Sequence, residues 1–201
     1  MSHNRNHQSG FTITELLIVI VISGLLISAI VGFFNGNINQ YFKLQADGLA
    51  YSEITANSQR IARVLRGIKS FDVADANTIT AYTYFAPQET YTSQIKYYIS
   101  SNGKQLLADV TPMTADYPIG TLITGQKRSG IVIIDNYYQQ PGKTLFSYKD
   151  SAGNDLTTPV SNLNSIKNVI INLAVKPYQS ASNNVTSTQL TVSLRNRKTN
   201  L

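Results

Sequence analysis

Glu15 stands at the head of an apolar run, five residues after Gly10, in the stretch "SGFTITELLIVIVI", residues 9–22. A carboxylate inside a bilayer costs a few kcal/mol unless it is paired. Gly10 suggests where a partner could arise. A cut after Gly10 would make Phe11 the new N-terminus and give it a positive amine, four residues from Glu15 on a helix. That amine and carboxylate can pair within one chain, or between neighbouring chains whose apolar helices pack side by side. Two plainer readings stay open: a carboxylate at the cytoplasmic lipid interface, and a helix N-terminal acid favoured by the macrodipole.

The element that must carry these groups is legible. From Leu16 to Tyr41 the chain has no charge, and Ile, Leu, Val and Phe dominate Leu16–Phe34. That run approaches the roughly 20 residues needed to span a hydrocarbon core. Arg5, His3, His7 and the N-terminal amine precede it, and few basic residues follow until Lys43. This asymmetry keeps the leader cytoplasmic and exports the body. A secretory signal peptide has its small-residue cleavage site after the apolar core. Here Ser9 and Gly10 come before it, so the apolar segment is kept after cleavage.

"GFTITELLIVIVI", Gly10–Ile22, resembles the leader and helix of type IV pilins and related pseudopilins: a short basic leader, Gly, Phe, three residues, Glu, then an apolar helix. The resemblance covers about residues 5–35. It implies cleavage after Gly10 by prepilin peptidase, N-methylation of Phe11, and a role for Glu15 in docking to a neighbouring subunit. Two shorter stretches are similar to one branch, the PilW-like minor pilins and J-type pseudopilins. These are "SQRIARVLRGIKS", Ser58–Ser70, and "QLTVSLRNRK", Gln189–Lys198.

Beyond the apolar run, glycines and Asn35 loosen the pattern before helical spacing resumes. Tyr41, Leu44, Gly48, Tyr51, Thr55, Ser58, Ala62 and Leu65 define an amphipathic face, flanked by Ile54, Ile61 and Ile68. A helix from Phe11 to about Gly67 would span about 85 Å at 1.5 Å per residue. Gly24, Gly32, Gly36 and Gly48 serve either close helix packing or local melting of that helix. Arg60, Arg63 and Arg66 recur on another face, which reads as solvated, as a partner-subunit contact or as a DNA contact, the last without the aromatic interleaving of a single-strand stacking platform.

From Thr78 the periodicity becomes strand-like. Asn77–Phe85 reads as a strand, and Gln94–Val110 as a hairpin turning at Asn102-Gly103. Gly130–Tyr138 fits either a strand or a helical turn. Thr144–Thr157 is hairpin-like. Ile166–Pro177 and Ser187–Lys198 read as a closing antiparallel pair joined by a polar loop, Gln179–Asn184. The expected fold class is α+β, a long N-terminal helix packed on an antiparallel β-sheet, the pilin fold of the resemblance. The expected division is a leader at 1–10, a transmembrane or filament-core helix at 11–35, an amphipathic helix at 36–70 and a globular β domain at 71–201.

The 201 residues carry only 14% charged side chains, and all 12 tyrosines follow residue 40. A polar, uncharged, Tyr-rich body suits an exported β-rich domain. There is no cysteine, and both histidines lie in the leader. A chain trimmed after Gly10 therefore lacks the residues for Ser-His-Asp or Cys-His nucleophilic sites and for His- or Cys-ligated zinc. No phosphate-cradling glycine motif is present. The soluble carboxylates, among them Glu53, Asp72, Asp75, Glu89, Asp109, Asp116, Asp135, Asp150 and Asp155, form no recognisable pair. The oxygen-rich sets Asp150/Asn154/Asp155 and Asp72/Asp75/Asn77 match no EF-hand spacing and read as turn residues. No enzyme, cofactor or metal site is expected.

The net charge of +6 includes Arg195, Arg197 and Lys198 near the end, candidates for polyanion contact. The expected role is a structural subunit, a minor pilin of a type IV pilus. It begins as a single-pass precursor in the bacterial cytoplasmic membrane and ends in a cell-surface or envelope filament. Its expected partners are other pilin subunits, prepilin peptidase and the pilus assembly machinery. The alternatives are a pseudopilin of a type II secretion or DNA-uptake system, and a membrane-anchored envelope domain binding DNA or cell-wall polymer.

Overall fold

The computed structural model describes residues 12–176 and 185–195. The chain divides into two units, Met1–Gln45 and Ala46–Leu201. One helix, α1 (Ile13–Arg66), contributes to both. It runs unbroken past Gly32, Asn35 and Gly36, where the sequence pattern had suggested loosening. Hydrogen bonds along the backbone tolerate glycine, which costs only about 1 kcal/mol per site relative to alanine.

In the second unit, α1 buries one face. Ala50, Ile54, Ser58, Ile61, Ala62, Val64 and Leu65 are its buried residues. Ser58, Ala62 and Leu65 lie where the spacing placed them. The line of Ile54, Ile61 and Ile68, expected at the flank, is the centre instead, each 0% exposed. Tyr41, Leu44 and Tyr51, expected on the face, are exposed. A 3.5-residue stripe drifts about 20° per heptad around a straight helix. A stripe drawn from Tyr41 is therefore displaced by the time it reaches the core.

Among the described residues nine strands follow: β1 (Ser70–Ala74), β2 (Thr78–Thr83), β3 (Ser93–Ile99), β4 (Leu106–Pro112), β5 (Arg128–Ile134), β6 (Phe146–Lys149), β7 (Asp155–Leu156), β8 (Asn168–Val175) and β9 (Thr186–Ser193). They form two antiparallel sheets where one was expected, in the orders β1-β2-β3-β4-β5 and β7-β6-β8-β9. Alternation puts Ile79, Ala81, Ile95, Tyr97, Ala108 and Val110 on the inner face of the first sheet. Phe146, Tyr148, Val169, Ile171 and Leu173 form that of the second. Both inner faces and the buried face of α1 belong to one apolar cluster. Main-chain bonds join the sheets: Phe146 N–H donates to Ala76 O at 2.8 Å, and Val160 N–H to Ala74 O at 2.9 Å.

The undecided segment 130–138 contributes the edge strand β5. The expected hairpins stand at β3–β4, β6–β7 and β8–β9. Gly103, φ +71°, supplies the left-handed residue of the β3–β4 turn, a conformation that costs glycine little. The loop joining β8 and β9 lies outside the described residues.

Candidate functional site

The helix start is built from Thr12 and Glu15. Thr12 immediately precedes the first helical residue, Ile13. Its N–H and its hydroxyl both donate to Glu15 Oε2 at 2.9 Å, and Glu15 N–H donates back to Thr12 Oγ1 at 3.3 Å. This is a reciprocal capping box, which satisfies two N–H groups that have no partner inside the helix. Of the open readings of Glu15, the helix N-terminal acid is therefore present in this structure. Gly10 and Phe11 lie outside the described residues, so the amine partner is not part of this geometry.

Behind the cap, every residue from Ile13 to Leu44 is exposed. Nothing lies within 4 Å of a side chain added at Gly24, Gly32 or Gly36. The helix is long and apolar enough to cross a membrane, and the apolar window that qualifies it is 0% buried. Asn37 is folded back, its Nδ2 donating to Phe33 O at 2.9 Å, so this amide meets part of its own hydrogen-bonding need within the helix.

Residues 5–31 match the family described as the prokaryotic N-terminal methylation motif. The chain carries a prepilin-type methylation motif. With the long apolar helix behind it, the motif supports a type IV pilin- or pseudopilin-type precursor. It implies processing by prepilin peptidase and assembly with other pilin subunits, and it fits a membrane-anchored precursor. No curated protein was found to match the chain.

The precursor's other candidate residues lie in the second unit. Arg195 is exposed just past β9, while Arg197 and Lys198 lie outside the described residues. Arg63 and Arg66 are exposed. Arg60 is engaged: its guanidinium lies 5.1 Å from the Phe85 ring centroid, with Arg128 at 5.8 Å from the same ring. Glu89 anchors this group, accepting from Phe85 N–H at 2.8 Å and meeting Arg128 at 3.4 Å. The sequence did not show this cluster, since Arg60, the loop holding Phe85 and Glu89, and Arg128 come from three distant segments.

Nor did it show the hub at Asp116. Lys69 Nζ reaches Asp116 Oδ2 at 2.7 Å, Tyr84 OH donates at 2.9 Å, and Thr92 N–H donates to Oδ1 at 2.9 Å. The Lys69 hydrogen bond, then those from Tyr84 and Thr92, hold the Asp116 carboxyl below the usual range. The same bond raises Lys69. A Cβ at Gly120 would collide with the Ala115 backbone, so only glycine lets this loop close.

The oxygen-rich sets behave as turns and struts. Asp150 accepts from Ala152 N–H, Asn154 N–H and Asn154 Nδ2, and Asp155 pairs with Lys149 at 2.8 Å. Asp75 accepts from Ala76 N–H, Asn77 from Leu145 N–H, and Asp72 from Gln94 Nε2.

Proposed function

We propose that the protein is a structural, non-enzymatic subunit, a minor pilin of a type IV pilus. The precursor inserts with its leader inside and its body outside. Prepilin peptidase cuts after Gly10, Phe11 is N-methylated, and the apolar half of α1 packs among the helices of neighbouring subunits. Glu15 meets the Phe11 amine of a neighbour during this docking, and apolar burial supplies most of the association. The observation that carries this reading is the methylation motif at residues 5–31, which runs into the apolar N-terminal half of α1, where every residue from Ile13 to Leu44 is exposed.

The experiment is the intact mass of the native protein from its own host. A mass equal to residues 11–201 plus one methyl group is expected. A mass retaining Met1–Gly10, in cells with active prepilin peptidase, would leave the segment an ordinary membrane anchor and overturn the proposal.

A further inference from the structure

The outer face of the five-stranded sheet holds a polar cavity of about 220 Å³. At about 30 Å³ per water it has the room of roughly seven waters, the scale of one sugar ring. Register explains its floor. Thr80 of β2 stands opposite Lys96 of β3, and Gln94 of β3 stands opposite Thr111 of β4. Thr80 and Thr111 are 7% and 5% exposed, and among the described residues neither hydroxyl has a hydrogen-bond partner. Asp72, from the bulge in β1, and Lys96 also line the cavity.

The cavity is partly closed and partly open. Asp109 is saturated: Tyr98 OH and Gly130 N–H donate to one oxygen, and Lys127 pairs with the other at 3.0 Å. Asp72 is engaged at one oxygen only, by Gln94 Nε2 at 3.2 Å, and the same amide reaches Tyr82 OH at 3.3 Å. The Lys96 ammonium has no carboxylate partner among the described residues and lies 5.2 Å from the Tyr98 ring centroid. Tyr82 itself is stacked on Tyr117, with centroids 4.4 Å apart. The open groups are thus a carboxylate oxygen, two hydroxyls and an ammonium, with a fixed aromatic pair beside them.

We infer that this cavity binds a saccharide. Its four formal charges cancel, Asp72 and Asp109 against Lys96 and Lys127, which disfavours a polyanion. An extended peptide would need free main-chain groups, but β2, β3 and β4 are paired on both sides. Only side chains face the ligand. Hydroxyls that both donate and accept match this set: they donate to Asp72, accept from Lys96, and do either with Thr80 and Thr111. The inference is independent of how the N-terminal helix assembles.

The test is saturation-transfer NMR on the full chain, held in a detergent without a sugar headgroup. The probes are glucose, galactose, mannose and N-acetylglucosamine, with glycine as a zwitterionic control. At least one sugar should receive saturation at millimolar concentration, and glycine should not. Thr80→Val and Lys96→Gln should each weaken that sugar about fivefold, the effect of one lost hydrogen bond, whereas Glu53→Gln on the exposed side of α1 should leave it unchanged. Thermal melting confirms that each variant is folded. Absence of transfer to all four sugars, equal transfer to glycine, or folded Thr80→Val and Lys96→Gln proteins that bind normally would overturn the inference.

Discussion

Thr12 and Glu15 satisfy each other. Two donors from Thr12 converge on a single carboxylate oxygen, and Glu15 returns one N–H to the Thr12 hydroxyl. The second carboxylate oxygen has no partner among the described residues. An intrachain cap and an intermolecular ion pair therefore need not compete for the same atom. Glu15→Ala should insert normally, because it removes a charge from an apolar segment. It should lower incorporation into filaments by about tenfold or more, since losing an intramembrane partner costs a few kcal/mol and 1.4 kcal/mol is tenfold. Immunoblots of membrane and sheared-filament fractions measure both, and normal incorporation would remove the role proposed for Glu15.

Tyr97 and Tyr148 make a paired comparison. Both phenols are buried, and burial pushes both well above the usual tyrosine range. Tyr148 OH donates to Asp75 O at 2.9 Å, while Tyr97 OH has no partner among the described residues. Removing an unsatisfied hydroxyl recovers its desolvation penalty; removing a bonded one strands an acceptor. Tyr97→Phe should stabilise the protein by about 1 kcal/mol and Tyr148→Phe should destabilise it by about as much. Opposite shifts in melting temperature are the readout.

The Asp116 hub sets a pH dependence of definite sign. Asp116 is held below its ordinary value of 3.8, so its contribution is complete above that value and is lost as pH falls through the lower folded value. Lys69 is raised above 10.5, so its contribution is complete below that value and is lost as pH rises through the higher folded one. The two windows overlap between these ordinary values. The side chains are 27% and 40% exposed, so solvent screens the pair to the order of 1 kcal/mol or less. Asp116→Asn should flatten the acid limb of a melting-temperature profile. A profile identical to that of the unaltered protein would show that the hub contributes nothing.

Ile54 and Ile61 are fully buried where α1 meets the core. Either one changed to Ala should cost about 2–5 kcal/mol while membrane insertion, governed by Leu16–Phe34, proceeds as before. Protease resistance of the β-rich unit and fractionation of the membrane separate the two effects.

What was legible followed local rules. The apolar run, the helix to Arg66 and three hairpins announce themselves through period, charge and turn residues. What was missed depends on distant pairing. In β1, Phe71 and Ala74 are buried but Asp72 and Val73 are not, because a bulge between Phe71 and Val73 breaks the alternation. A two-residue period cannot reveal a strand that interrupts it. The division into two sheets is set by where the chain leaves β5 and resumes at β6, which no local pattern encodes. At the helix start, Thr-x-x-Glu is a local cap signal that the sequence displays, whereas an amine partner for Glu15 involves Phe11, outside the described residues. The Asp116 hub and the Phe85 cluster join residues tens of positions apart, so only the folded chain displays them.

The bonds at the end of α1 have a mechanical meaning. Val64 O accepts from Thr83 Oγ1 at 2.9 Å, Lys69 is clasped to Asp116, and the next residues enter β1. In the proposed filament subunit, held by its helix and pulled by its body, tension would load this stretch together with the buried face of α1. The clasp spreads that pull onto β2, the start of β3 and the loop of Asp116 at once, instead of leaving the edge strand β1 to bear it by peeling. A pull across this junction would thus be shared among several segments of the fold rather than concentrated on one strand.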